Sequence, residues 1–155
     1  MFYRYRFESD FYPCLSRIPF HVRMKLDLAG VKISLKTWLA FGLEERRVLC
    51  HLPVDARDER EVFCLYLDWL SRRYLGEKVA LVSPMTDPPW EGRDCIPAPV
   101  QARSQGRGQG VTPEEWAQWN RYERYALFKL ASSENEPEQF YGALHEFRER
   151  IGGQA

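Results

Sequence analysis

The chain has 155 residues, of which 45% are hydrophobic, 28% charged and 14% aromatic, and its formal net charge is +0. That length supports one compact domain or two small halves packed intimately together, and the charge balance leaves no overall field to attract nucleic acid or an anionic membrane. No apolar run reaches the roughly 18 residues of a membrane span, and the opening MFYRYRFESDF lacks the apolar centre of a secretion signal, so a cytoplasmic protein is expected.

After Phe2, the stretch Tyr3 to Phe7 alternates aromatic and basic residues, the period-two pattern of an extended arm with Tyr3, Tyr5 and Phe7 on one face. Such an arm either packs on the helices or offers a sticky edge to a partner. Ile18-Pro19 opens a first helix that runs to Gly30, a residue suited to a left-handed terminator. Its period places Val22, Leu26 and Ala29 inward and leaves Arg23, Lys25 and Asp27 outside. Ser34 can cap a short second helix carrying Trp38 and Phe41. Gly42 is expected to break it, and Leu43 to Leu52 forms a third helix stopped by Pro53. Asp55 or Asp58 can cap the longest helix, Glu59 to Leu75, with Val62, Phe63, Tyr66, Leu67 and Leu70 as its apolar stripe.

Residues 77–95 carry three prolines and read as a connector, with Val79 to Val82 as a short extended piece. A fifth helix spans Pro97 to Gln105. Thr112-Pro-Glu-Glu-Trp116 is a strong helix start: a cap, then Pro, then acids at the positive end of the dipole. Asn120 begins the seventh helix, to Ala131. Glu136-Pro137 begins the eighth, with Phe140, Leu144 and Phe147 buried, and residues 151–155 form a frayed tail.

The chain repeats itself. WLAFGLEERRVLCHL from Trp38 and WAQWNRYERYALFKL from Trp116 align at an offset of 78 residues, matching Trp38 with Trp116, Phe41 with Trp119, Glu45-Arg46 with Glu123-Arg124, Leu49 with Leu127 and Leu52 with Leu130. Ile18-Pro19 and Val22 recur at the same offset as Ile96-Pro97 and Val100. Gly42 and Asn120 punctuate the same place in each copy. The expected fold is therefore all-α, a tandem duplication of a four-helix unit with about eight helices and a short extended N-terminal arm. Residues 1–76 form the arm and first repeat, 77–95 the connector and 96–155 the second repeat, packed together as one globular domain.

Chemistry-bearing motifs are sparse. A charged pair repeated at identical spacing more often holds a shared fold than a shared site, so Glu45-Arg46 and Glu123-Arg124 read as capping or inter-helix ion pairs. The corner from Ser34 to Leu52 resembles a helix-turn-helix in which Arg46-Arg47 would touch phosphate, but Glu44-Glu45 stand beside them and a basic stripe is lacking. The run Gly106 to Gly110 lacks GK[ST] and follows no strand, so it reads as a loosened loop or contact arm rather than a phosphate loop. Cys14, Cys50, Cys64 and Cys95 show no metal-ligand spacing and are expected as free thiols, with a Cys/His metal site involving His21 or His51 as the alternative. No catalytic constellation accompanies either histidine, and an enzyme is not expected.

Phe7-Glu-Ser-Asp-Phe11, the stretch Ile18-Pro-Phe-His-Val-Arg-Met-Lys-Leu-Asp27, Gly30-Val31, Trp38, Glu45-Arg46 and Leu52-Pro53 together resemble the nitrate reductase-associated proteins of cyanobacterial type. The resemblance runs over almost the whole chain and is most specific in the motif I-P-x-x-V-R-x-K-L-D-x-x-G-V. It implies a non-catalytic accessory protein, without a cofactor of its own, needed for active assimilatory nitrate reductase, a cytoplasmic molybdenum-cofactor and iron–sulfur enzyme. Help with cofactor insertion, or stabilisation of the enzyme, is the implied role. Carried onto this chain, the motif nominates Arg23, Lys25 and Asp27 as exposed contacts for the reductase and leaves Trp38 and Glu45-Arg46 as scaffold. The family often has Cys immediately before Ile-Pro; here Arg17 stands there, and Cys95 occupies the comparable place in the second copy.

Overall fold

The computed structural model describes residues 1–134 and 137–153. The described residues are mostly helical, with eight α-helices, one 3-10 helix and a two-stranded sheet. The chain divides into two compact units, Met1–Thr86 and Asp87–Ala155.

The first unit begins with an irregular segment that leads into the 3-10 helix Arg6–Phe11. The expected arm is therefore extended only as far as Tyr5. Its aromatic face nevertheless forms: ring centroids are 4.9 Å apart for Tyr3 and Tyr5 and 5.2 Å apart for Tyr5 and Phe7. Tyr5 is buried, which makes this face part of the packing. Helix α1, Phe20–Ala29, ends at Gly30 with φ 75, as expected of a left-handed terminator. Strand β1, Val31–Lys32, pairs antiparallel with β2, Ala80–Leu81, in the register Val31 to Leu81.

Helix α2 spans Leu35–Ala40 and α3 spans Leu43–His51. The hydroxyl of Ser34 accepts the Thr37 N–H at 3.1 Å and caps α2. The break falls at Phe41–Gly42, both extended, and the Glu45 carboxylate reaches back 2.9 Å to the Gly42 N–H to start α3. Helix α4, Arg57–Leu75, starts two residues before the expected Glu59. Neither Asp55 nor Asp58 is its N-cap; that residue is Ala56, and Glu59 accepts the N–H groups of Asp55 and Ala56. Phe63, Leu67 and Leu70 of α4 join Val22, Leu26, Trp38, Phe41 and Leu49 in one core. Val62, expected in the same stripe, is exposed, and Tyr66 is half-buried.

The second unit holds α5, Ala98–Gln105, α6, Pro113–Gln118, α7, Arg121–Ala131, and α8, Pro137–Gly152. Trp90, Trp116, Trp119, Tyr125, Phe140 and Phe147 supply its largest buried rings. The corner of the first unit recurs in detail: Thr112 caps α6, Trp119 and Asn120 are extended, and Glu123 reaches back 3.0 Å to the Asn120 N–H. The predicted connector divides between the units, its first part paired in β2 and its second containing buried Trp90. The glycine run is tied at both sides, because Ser104 Oγ accepts the Val111 N–H and Arg148 donates to the carbonyls of Gln109 and Gly110. Ile151 and Gly152 continue α8 rather than fray. Glu136, expected to start that helix, and Gln154-Ala155 of the expected tail lie outside the described residues.

Candidate functional site

The motif residues of α1 act first on their own unit. Glu8, buried before α1 begins, accepts the Phe20 N–H through both carboxylate oxygens, at 3.0 and 3.3 Å. A carboxylate at this end of a helix answers orphan N–H groups and the positive end of the dipole together. Val22 and Leu26 fill the core. Arg23 is half-buried; its Nε donates to the Ile18 carbonyl at 3.2 Å and its guanidinium lies 5.2 Å from the Phe20 ring centroid.

Lys25 departs from expectation. Only 2% of it is exposed, so it does not stand outside the helix as a partner contact. Its ammonium donates to the carbonyls of Leu49 at 3.0 Å and Cys50 at 2.7 Å. Those carbonyls belong to the last turn of α3, where a cation meets the negative end of the dipole. Burial pushes the Lys25 pKa down from 10.5 to about 8, an effect only partly offset by Cys50 and Asp55. The same burial pushes the neighbouring Cys50 thiol up to about 12.

Asp27, half-buried, works with Gly30 and Val31 to hold a segment of the first unit through main-chain contacts. The Met85 N–H donates to the Asp27 carbonyl at 3.1 Å and the Val82 N–H donates to the Gly30 carbonyl at 2.9 Å. At Gly30 a Cβ would lie 2.6 Å from the Val82 carbonyl oxygen, so only glycine permits the approach at this positive φ. From α4, Asp68 accepts the Val79 N–H at 3.0 Å, and its hydrogen bond from Arg72 holds that carboxyl below the usual range. The segment so anchored displays Leu81, 73% exposed, with Val82 and Met85 beside it in sequence and also exposed. The sequence placed Leu81 and Val82 in a short extended piece, which forms as β2, but nominated none of the three as a contact; the signal was the apolar run Val79 to Val82 inside a proline-rich stretch.

The other sequence candidates resolve into scaffold. Arg46 donates to the carbonyls of Cys14 at 3.2 Å and Leu15 at 2.8 Å, and Arg47 pairs with Glu44, so the corner directs neither guanidinium freely at a phosphate. Arg124 repeats the arrangement, its Nε donating to the Trp90 carbonyl at 2.6 Å. His21 Nδ1 accepts the Tyr3 N–H at 3.0 Å. Among the described residues no group of three or more His, Cys, Asp or Glu side chains is placed to hold a metal ion, and the four cysteines are free. Among the same residues no helix is long and apolar enough to cross a membrane.

This geometry defines a helical protein whose motif side chains contribute to the scaffold and which exposes an apolar edge at Leu81, Val82 and Met85. The family model described as conserved nitrate reductase-associated protein matches residues 4–147, and the chain belongs to that family. The description places the family beside nitrate reductase rather than as the catalyst itself. Neither a curated protein nor a solved structure matches the chain.

Proposed function

We propose that this protein is a non-catalytic, cytoplasmic accessory factor of assimilatory nitrate reductase that binds the enzyme during molybdenum-cofactor insertion or stabilises it. The observation that carries the reading is the family match over residues 4–147. The reductase contact is the edge of Leu81, Val82 and Met85, with Asp27 of α1, whose carbonyl holds Met85, beside it and Arg23 of the same motif as a further contact. Lys25 serves that contact from inside, by fixing α1 against α3. The repeated corner supports descent of both units from one four-helix ancestor, with Trp38 and Glu45-Arg46 retained for the fold.

A factor that promotes loading must distinguish the states of its client, since only differential affinity shifts an equilibrium. The test is a titration of the protein against nitrate reductase prepared with and without molybdenum cofactor. Tighter binding to the cofactor-free enzyme, weakened about tenfold by Leu81→Ser (a loss of roughly 1.4 kcal/mol), is the expected result. Equal affinity for both forms removes the loading role, and absence of binding to either removes direct contact.

A further inference from the structure

Helix α4 has a second apolar face. Phe63, Leu67 and Leu70 enter the core of the first unit, while Val62, Leu65 and Trp69 stand 54%, 69% and 50% exposed. Asp58, Val62, Leu65, Trp69 and Arg73 follow one another at intervals of four, three, four and four residues, which a 3.6-residue period aligns in a single stripe. The stripe is ordered. Tyr66 stacks on Trp69 with centroids 6.0 Å apart, and the Arg73 guanidinium lies 5.2 Å from the Trp69 centroid and 5.5 Å from that of Tyr74. Exposed Trp, Tyr and Arg held together in this way are the residue types that dominate interface energetics.

Its two ends carry opposite charges that neutralise nothing within the first unit. Among the described residues Arg73 has its two aromatic contacts and no carboxylate partner, whereas neighbouring Arg72 pairs with Asp68 at 2.7 Å. Among the same residues Asp58 accepts only the Glu59 N–H, at 3.0 Å, whereas Arg57 beside it pairs with Glu61 at 3.2 Å. Both Asp58 and Arg73 are exposed.

The stripe is also complementary to itself. About the midpoint between Leu65 and Tyr66, an antiparallel copy brings Leu65 opposite Tyr66, Val62 opposite Trp69 and Asp58 opposite Arg73. A twofold axis requires this reciprocity, with every contact made twice. A parallel copy would instead set Asp58 against Asp58 and Arg73 against Arg73, which like-charge repulsion opposes. We infer that a second copy of this chain covers the exposed face of α4, the two helices packing antiparallel with Trp69 of each over Val62 of the other and Arg73 paired to Asp58 at both ends. Helix axes at the usual 8–10 Å separation bring these side chains into contact. The inference stands apart from the reductase contact, which uses the edge at Leu81.

Sedimentation equilibrium of the full chain, over a wide concentration range, tests it. The wild-type protein is expected to dimerise reversibly with a dissociation constant on the order of 10 μM, between the micromolar and millimolar marks of a weak association. Trp69→Ser and Leu65→Ser should each weaken the dimer at least ~10-fold, because they remove apolar contact made twice. Both side chains are exposed, and helical circular dichroism checks that the variants fold. Arg73→Glu and Asp58→Arg should each weaken dimerisation about 10-fold, and the double variant should recover to within about 3-fold of wild type, since it restores opposite charges at both ends. A wild-type protein that stays monomeric throughout overturns the inference, including the case in which the reductase alone covers Trp69. A double variant as weak as the single ones overturns the antiparallel register.

Discussion

The ammonium of Lys25 lies 2.7 Å from the carbonyl oxygen of Cys50, so a side chain of α1 closes the C-terminal turn of α3. Removing it leaves two carbonyls without their donor and opens space beside the core. Lys25→Ala is expected to destabilise the protein by about 3 kcal/mol in urea unfolding at pH 7, from the lost charge-assisted bonds and the cavity. Lys25→Met keeps most of the stem and takes away a buried charge, and should cost about 1 kcal/mol. A loss under about 1 kcal/mol for the alanine variant would mean that the ammonium does not hold α3 in place.

The same pair sets a pH dependence. Lys25 has a folded pKa of about 8 against an ordinary 10.5, so between those values the unfolded chain binds more protons at this site. Stability therefore rises with pH through that window, by on the order of 3 kcal/mol from this group alone. Cys50 acts in the opposite sense: its thiol is raised from 9.0 to about 12, so its contribution is complete below pH 9 and is lost above it. Of the two, the lysine dominates between pH 8 and 9. Stability measured across that interval should rise in the wild type and stay flatter in Lys25→Met; parallel curves would refute the depressed lysine.

Gly30 and Gly76 share a positive φ but not a neighbourhood. At Gly30 a Cβ would meet the Val82 carbonyl oxygen at 2.6 Å and Pro84 Cγ at 2.8 Å, whereas at Gly76 it would meet nothing within 4 Å. Gly76→Ala should cost about 1 kcal/mol, the backbone penalty alone. Gly30→Ala should cost about 2 kcal/mol or more, because backbone must shift as well. It should also loosen the β2 segment, visible as faster amide exchange at Val82 than in Gly76→Ala. Equal costs and equal exchange would show that the close approach at Gly30 does not constrain the edge.

The indoles of Trp38 and Trp116 make equivalent bonds, each donating Nε1–H at 2.8 Å, to the carbonyls of Leu15 and Gly92. Both rings are fully buried. Trp38→Ala is expected to cost about 3–5 kcal/mol, and Trp116→Ala a similar amount in the second unit. Phenylalanine should recover part of the loss at each site but not the hydrogen bond, worth about 1 kcal/mol. Denaturant melts followed separately by far-UV dichroism and by fluorescence would check this, and a loss below 1 kcal/mol for Trp38→Ala would place that ring outside the core.

These tryptophans were legible from the sequence because what places them is local. Ser34 and Thr112 cap helices that begin one residue later, Glu45 and Glu123 start the next helices, and the period between carries each ring inward. Lys25 was not legible, because its partners are carbonyls 24 and 25 residues away and a charge near an apolar face is ordinarily read as solvated. Val62 and Phe63 are neighbours of similar hydrophobicity, and α4 is apolar on two faces. Periodicity fixes the angle between such faces but not which one meets the core. The extended piece at Val79 to Val82 was legible, but its anchoring was not: that comes from main-chain bonds to Asp27 and Gly30, which carry no side-chain pattern.

Glu8 supplies the last prediction. It is a buried carboxylate that accepts the Phe20 N–H and, at 2.9 Å, the Tyr12 hydroxyl, while Tyr12 in turn accepts the Tyr5 N–H at 2.7 Å. The chain of bonds fastens the N-terminal segment to the start of α1. Glu8→Gln keeps the shape but loses the charge at the dipole and one acceptor oxygen, and should cost about 1–2 kcal/mol. Glu8→Ala, which leaves the Phe20 N–H and the Tyr12 hydroxyl without their acceptor, should cost about 3 kcal/mol and free residues 1–11 for proteolysis. Exposed Asp10, changed to Asn, is the control and should alter stability by less than about 0.5 kcal/mol. Limited proteolysis that cuts Glu8→Ala and the Asp10→Asn control at the same rate would show that the segment is held by its aromatic contacts instead.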